Sequence, residues 1–150
     1  MYIAVIALTM FLLPVLSIAL DRYVHPGLSI AEAGRWLVFW IVGIRLALAG
    51  LRQVAQPEFT ARQIFHMTGD EALPVVRELG IANLASATIG LIAIAAPGFV
   101  VPAAVYGVIF YGVAGVRHAM ERDRSTNETI AMVSDLFAAV VLFAWLWAVR

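Results

Sequence analysis

Several polar side chains interrupt the long apolar stretches of this sequence, and they are its candidates for chemistry. They are Arg45, Glu78, Asn83, His118 and Asp135. An ionisable group inside a membrane-spanning helix costs roughly 3 kcal/mol or more at the bilayer centre, so such groups usually face the interior of a bundle. A cation, two carboxylates, an amide and an imidazole suit the binding of a small polar ligand or ion, or the relay of a proton.

The elements that carry these side chains are too apolar for a soluble domain. Hydrophobic residues make up 63% of the 150 residues, against about half in a typical soluble domain. The sequence predicts an all-α integral membrane bundle of about five transmembrane helices that forms one domain over residues 1–150. The predicted helices cover residues 2–20, 35–52, 76–96, 99–119 and 128–149, with a short interfacial helix near 57–68.

Turn and capping signals set several of these boundaries. Pro97 and Gly98 predict a tight turn between the third and fourth helices, which form either a spanning hairpin or a re-entrant pair. Thr68 and Glu71 have the spacing of a capping box, and Ser125 is a good N-cap for the last helix. The polar residues between the first two helices predict a solvated loop; they are Asp21, Arg22, His25, Glu32 and Arg35.

The arginines predict the orientation. One face of the bundle, shared with the N-terminus, has six arginines, namely Arg52, Arg62, Arg77, Arg117, Arg122 and Arg124, and the other has Arg22, Arg35 and Arg150. By the positive-inside rule the N-terminus is cytoplasmic and the C-terminus outside. All ten Lys and Arg positions are arginine, which we interpret as the genomic composition of a GC-rich bacterium. Together with the predicted spans, this leads us to expect a multi-pass protein of the bacterial inner membrane. Cleavage of the first helix as a signal peptide would change this topology.

Three of the polar side chains are predicted to lie at one depth. At ~1.5 Å per residue, Arg45 lies about 10 Å, Asp135 about 9 Å and Asn83 about 7 Å inside the arginine-rich face. Such convergence indicates a site. The competing interpretation is structural: Arg45 and Asp135 form a buried ion pair, Asn83 links helices, and Glu78 sits at a helix start that favours a carboxylate.

One face of the fourth helix combines small and polar residues at spacings of four, four, four, three and four. Its members are Ala103, Gly107, Tyr111, Gly115, His118 and Arg122. The small residues allow a neighbouring helix to approach, and Tyr111 and His118 then point into the bundle. Tyr111 therefore joins the candidate site. The alternative for His118 is contact with carbonyls or headgroups at the helix end.

Other chemistry is not indicated. Glu78, His118 and Asp135 offer a mixed oxygen and nitrogen ligand set, but no two have a local metal-ligand spacing, so we predict no metal and no cofactor. There is no nucleophile elbow or phosphate-binding glycine loop, and no catalytic residue is assigned. The absence of cysteine excludes thiol redox chemistry, and the zero net charge gives no argument for nucleic acid.

The segment Arg77–Leu84, together with Gly90, Gly115, His118, Asn127-Glu128 and Asp135, resembles a family of small bacterial multi-pass membrane proteins of unknown function. The resemblance covers roughly residues 45–143 and carries a Glu-x-Gly-x-Ala-Asn stretch, a Gly-x-x-His-like helix end and an early Asp in the last helix. Gln56-Pro57 and Ala87 depart from the pattern. The resemblance implies no activity, but it implies importance for Glu78, Asn83, His118 and Asp135. A distant likeness to DoxX-type four-helix proteins implies nothing further.

Three functional hypotheses follow from the sequence. In the first, a small polar ligand, ion or proton enters from the cytoplasmic side and meets the polar side chains. In the second, the protein is a scaffold or accessory subunit that oligomerises through the small-residue face of the fourth helix, and these side chains only lock its helices. A membrane enzyme acting on a lipid or quinone is the third and least favoured. The expected partners are the lipid bilayer and, because one small chain leaves little room for a pathway, further copies in a homo-oligomer.

Overall fold

The computed structural model describes residues 2–150, with side chains from Ile3 onward. Five helices are long and apolar enough to cross a membrane: α1 (Ile3–Val24), α2 (Ile30–Ala55), α4 (Ala72–Ile92), α5 (Pro97–Met120) and α6 (Thr126–Ala148). A short helix, α3 (Pro57–Gln63), follows α2. The described residues contain no strand, and the predicted all-α membrane bundle is confirmed.

The second helix begins earlier than the sequence predicts. Ser29 and Glu32 form a capping box in which the Ser29 hydroxyl accepts from the Glu32 amide (3.2 Å) and the Glu32 carboxylate accepts from the Ser29 amide (2.8 Å). These bonds satisfy amides that the start of a helix leaves unpaired, so α2 begins at Ile30. Since α1 continues to Val24, the connection between the two helices is short.

The predicted solvated loop is wrong for Asp21. Its side chain is 7% exposed and accepts hydrogen bonds from the Arg35 guanidinium (2.6 Å) and the Trp36 indole (2.7 Å). Nδ1 of His25 lies 2.8 Å from the same carboxylate. The early start of α2 explains the difference, because its first two turns carry Arg35 and Trp36 back to the end of α1.

The remaining boundaries follow the sequence in part. The capping box at Ser125 is confirmed: its hydroxyl accepts from the Glu128 amide (3.2 Å), and the Glu128 carboxylate accepts from the Ser125 amide (2.9 Å). The capping box at Thr68 and Glu71 is wrong, because α4 begins at Ala72 with Glu71 as an N-cap that makes no side-chain bond.

Close backbone contact holds α2 against α4, and α5 packs mainly against α6. Gly43 and Gly50 of α2 lie against Gly90 and Gly80 of α4, and a Cβ on Gly50 would stand 2.7 Å from the Gly80 carbonyl oxygen. Small residues allow this approach in a membrane, where packing replaces the hydrophobic drive. Two helices also contain π-helical stretches, Leu8–Leu12 in α1 and Phe39–Ile44 in α2.

The small-residue face of α5 is used inside the chain. A Cβ on Gly107 would meet the Leu142 side chain at 2.5 Å, and one on Gly115 would meet the Leu136 side chain at 2.8 Å. Both leucines belong to α6. The face that the scaffold hypothesis assigned to an oligomer interface is therefore covered by α6.

Candidate functional site

A cavity of about 830 Å³ lies among the helices, between their middle turns and α3. Its lining is mostly apolar and draws on α1 to α6. Five of the six sequence-predicted site residues line it, namely Arg45, Asn83, Tyr111, His118 and Asp135. Glu78 does not; its side chain is exposed on α4.

Arg45 and Asp135 contribute opposite charges to this cavity. Asp135 is only 8% exposed, yet within the described part of the chain it has no hydrogen bond and no ion pair within 4.0 Å. Nε of Arg45 is buried and also lacks a hydrogen-bond partner. The direct ion pair of the structural interpretation is not formed, because α2 packs mainly on α4 and α6 mainly on α5, with the cavity between them.

Asn83 is partly satisfied by a residue that the sequence analysis missed. Its amide nitrogen donates to Oε1 of Gln53 (2.8 Å), which links α4 to α2, while its own Oδ1 is buried without a partner. Gln53 also lines the cavity. The sequence contained a signal for it, since Gln53 follows Arg45 by two steps of four residues and so lies near the same face of α2.

Tyr111 is buried, and its hydroxyl donates to the carbonyl of Ile41 (2.6 Å). Ile41 lies in the π-helical stretch of α2. The ring of Tyr111 therefore forms part of the cavity wall, and the hydrogen bond of its hydroxyl links α5 to α2.

His118 stands at the last turns of α5 and is 5% exposed, with Nδ1 buried and unpaired. The contact with helix-end carbonyls that was its alternative is made by Arg124 instead. The Arg124 guanidinium donates to the carbonyls of Ala119 (2.8 Å) and Glu121 (2.6 Å), and more weakly to that of His118 (3.2 Å). Nδ1 of His118 is thus left without a partner among the described residues, and contact with headgroups stays a prediction.

A second polar group beside His118 was also missed. One ligand atom from each of His118, Glu121 and Glu128 lies within 4.8 Å of the other two, so these side chains could hold a metal ion. Nε2 of His66 lies 2.6 Å from Oε2 of Glu128. His118 and Glu121 have an i, i+3 spacing, which was a readable local signal. The pairing of residues 66 and 128 had none, because they are far apart in the chain.

The arrangement can bind a molecule that has both an apolar and a polar part. Pockets for small ligands commonly have volumes of about 300–1,000 Å³ and a few polar groups in an apolar lining. Leu46, Ile64 and Phe110 supply apolar wall, while Arg45 and Asp135 supply charge.

Comparisons with known proteins give one finding. Neither the curated proteins nor the solved structures include a match to this chain. The model of a family of unknown function, DUF6790, matches residues 1–150, a longer range than the resemblance covered. A bacterial source and a likeness to DoxX-type proteins stay predictions. The chain, matched over its whole length, belongs to the family of unknown function DUF6790.

Proposed function

We propose that this protein binds a small amphipathic ligand inside the membrane, with the polar group of the ligand between Arg45 and Asp135. The observation that carries the proposal concerns Asp135, which is 8% exposed, lines the cavity and has no hydrogen-bond or ion-pair partner among the described residues. The ligand's apolar part would lie along Leu46, Ile64 and Phe110.

The energetic argument concerns charges left without compensation. A buried ionised group is costly unless it is paired and hydrogen-bonded, and the cost in a bilayer is of the same kind. Asp135 is buried and lies on α6, apart from Arg45 on α2, so no described residue relieves this cost at Asp135, and Nε of the partly buried Arg45 also lacks a partner. A ligand that offers a donor to Asp135 and an acceptor to Arg45 would relieve it, and that requirement sets its chemistry.

The route of entry follows from charge. Arg52 and Arg117 also line the cavity, at its arginine-rich end. We propose that this end is cytoplasmic in a bacterial inner membrane, with the N-terminus inside and the C-terminus outside. The ligand would then enter from the cytoplasmic leaflet, where the guanidinium groups attract an anionic group.

The structural alternative makes a different prediction for Asp135→Asn. If Asp135 served only to pair with Arg45, its neutralisation would leave a buried arginine charge and cost about 3–5 kcal/mol. If the carboxylate instead binds a ligand, Asp135→Asn removes an unpaired buried charge from the ligand-free protein. Without ligand, the variant should then be at least as stable as the parent protein, but it should no longer bind the ligand.

The experiment is native mass spectrometry of the protein purified in a mild detergent, with thermal unfolding of the same samples. The parent should carry a small-molecule adduct that Arg45→Gln and Asp135→Asn lose. Glu78→Gln, which neutralises an exposed carboxylate outside the cavity, is the matched control and should keep the adduct. A parent without an adduct, or an Asp135→Asn variant that loses several kcal/mol of stability, would favour the scaffold instead.

A further inference from the structure

We propose that the protein has a binding site for a divalent transition-metal ion where α5 ends and α6 begins, formed by His118, Glu121 and Glu128. One ligand atom from each residue lies within 4.8 Å of the other two. Atoms bound to one ion at about 2.0–2.2 Å stand roughly 3–4 Å apart, so small side-chain rotations bring the three onto a common ion.

The lone pairs left unused at this place point to a cation. Glu128 is fully buried, and its two carboxylate oxygens differ in their partners. Oε2 accepts from the Ser125 amide (2.9 Å) and lies 2.6 Å from Nε2 of His66, whereas Oε1 has no hydrogen-bond donor among the described residues. Nδ1 of His118 is likewise buried and unpaired. A buried carboxylate beside a second carboxylate is costly, and a metal ion removes that cost.

Local structure holds the three ligands in place. The capping box with Ser125 fixes Glu128 in the first turn of α6. Arg124 donates to the Glu121 carbonyl (2.6 Å) and so fixes the turn between the helices. The side chain of Glu121 is about one-third exposed, and its Oε1 lies 3.4 Å from the Arg117 guanidinium, an exposed contact that a metal can outcompete.

His66 supports Glu128 from the segment after α3. It is the one described non-glycine residue with a positive φ, at 52°, a conformation that is uncommon for such residues. The bond of its imidazole to Oε2 orients the carboxylate, as partners of metal-binding carboxylates commonly do. The segment after α3 thus adopts an unfavourable backbone conformation at His66, the residue that contacts Glu128.

The ligand set selects the class of metal. One imidazole nitrogen and two carboxylate oxygens suit Zn²⁺, Fe²⁺ or Mn²⁺, while the lack of sulfur disfavours Cu⁺. Three protein ligands leave at least one coordination position open. His118 also lines the cavity, whereas Glu121 and Glu128 do not, so the metal site adjoins the proposed ligand site without sharing its charged residues.

The test is calorimetric titration of Zn²⁺, and separately Mn²⁺, into tag-free protein that has been stripped with a chelator. We expect one ion per chain and a higher Tm on loading. Glu128→Gln and Glu121→Gln should each raise Kd at least ~10-fold. Glu32→Gln is the matched control, because Glu32 holds the same capping-box position at the start of α2, and its Kd should not change.

Two further comparisons make the outcome decisive. Asp135→Asn should bind Zn²⁺ like the parent, so failure of the ligand proposal and failure of the metal proposal can be told apart. Glu121 lies outside the capping box, so Glu121→Gln keeps the test valid if Glu128→Gln does not fold. The proposal is overturned if the parent binds neither ion stoichiometrically, or if Glu121→Gln leaves Kd unchanged.

Discussion

The crossing of α2 and α4 should not tolerate a single added methyl group at Gly90. A Cβ there would lie 2.8 Å from Cα of Gly43 and 3.0 Å from the carbonyl carbon of Val42. Both are backbone atoms, which cannot rotate away as a side chain can. The two helices must therefore separate, and overpacking of this kind costs about 1–3 kcal/mol.

Gly112→Ala is the matched control in the middle of α5. The nearest atom to its added Cβ is the Cβ of Ala139 at 3.8 Å, an ordinary van der Waals contact. Alanine is favoured over glycine inside a helix by about 0.5–1 kcal/mol, so this variant should be neutral or slightly stabilised. Gly90 lies inside α4 and gains the same preference for alanine, so this term cancels and the two variants should differ by about 1–3 kcal/mol.

Thermal unfolding in one detergent, followed by tryptophan fluorescence, measures this difference. For a chain of this size each kcal/mol shifts Tm by roughly 2–4 °C. Gly90→Ala should have a Tm several degrees below the parent, and Gly112→Ala should match or exceed it. A Gly90→Ala variant as stable as Gly112→Ala would refute the close crossing and the reasoning from it.

Two further substitutions test hydrogen bonds at the start and in the middle of α2. Asp21→Ala removes the acceptor of Arg35 and Trp36 and should cost about 1–3 kcal/mol in thermal unfolding; Asp21→Asn should cost less, and equal losses would contradict this. Tyr111→Phe keeps the cavity wall but removes the hydroxyl that donates to the Ile41 carbonyl, which should lower stability by about 0.5–1.5 kcal/mol and speed amide hydrogen exchange in α2; unchanged exchange would contradict it.

The sequence predicts the five spans because apolar length is a local property. Capping is local too, yet only Ser125 was recognised. Ser29 has the same relation to Glu32, but it lies among charged residues that are typical of a loop. The unrecognised cap at Ser29 produced two errors. It placed the start of α2 too late, and it left Asp21 without the Arg35 and Trp36 partners that bury it.

In the candidate site, the depth of a residue along its helix does not determine which way its side chain points. Depth along the helix axis places Glu78 near Asn83, but it does not fix the direction of a side chain. Successive residues are about 100° apart around a helix, so five residues separate these two by about 140°. Asn83 accordingly faces the cavity and Glu78 does not. The contact of His66 with Glu128 depends on tertiary packing between distant segments, which no spacing in the sequence encodes.

The π-helical stretch Phe39–Ile44 has a consequence for how this family can vary in length. A π turn holds one residue more than an α turn between bonded groups, so it is equivalent to a single-residue insertion in a helix. Deletion of one residue there would restore a regular α-helix and leave the residues beyond it on their original faces, whereas a deletion in the α-helical part, Ile30–Val38, would rotate them by about 100°. Arg45, which directly follows the stretch, would therefore still face the cavity after the first deletion and would turn away from it after the second. The π-helical stretch is thus the part of α2 that can lose one residue without changing which side chains face the site.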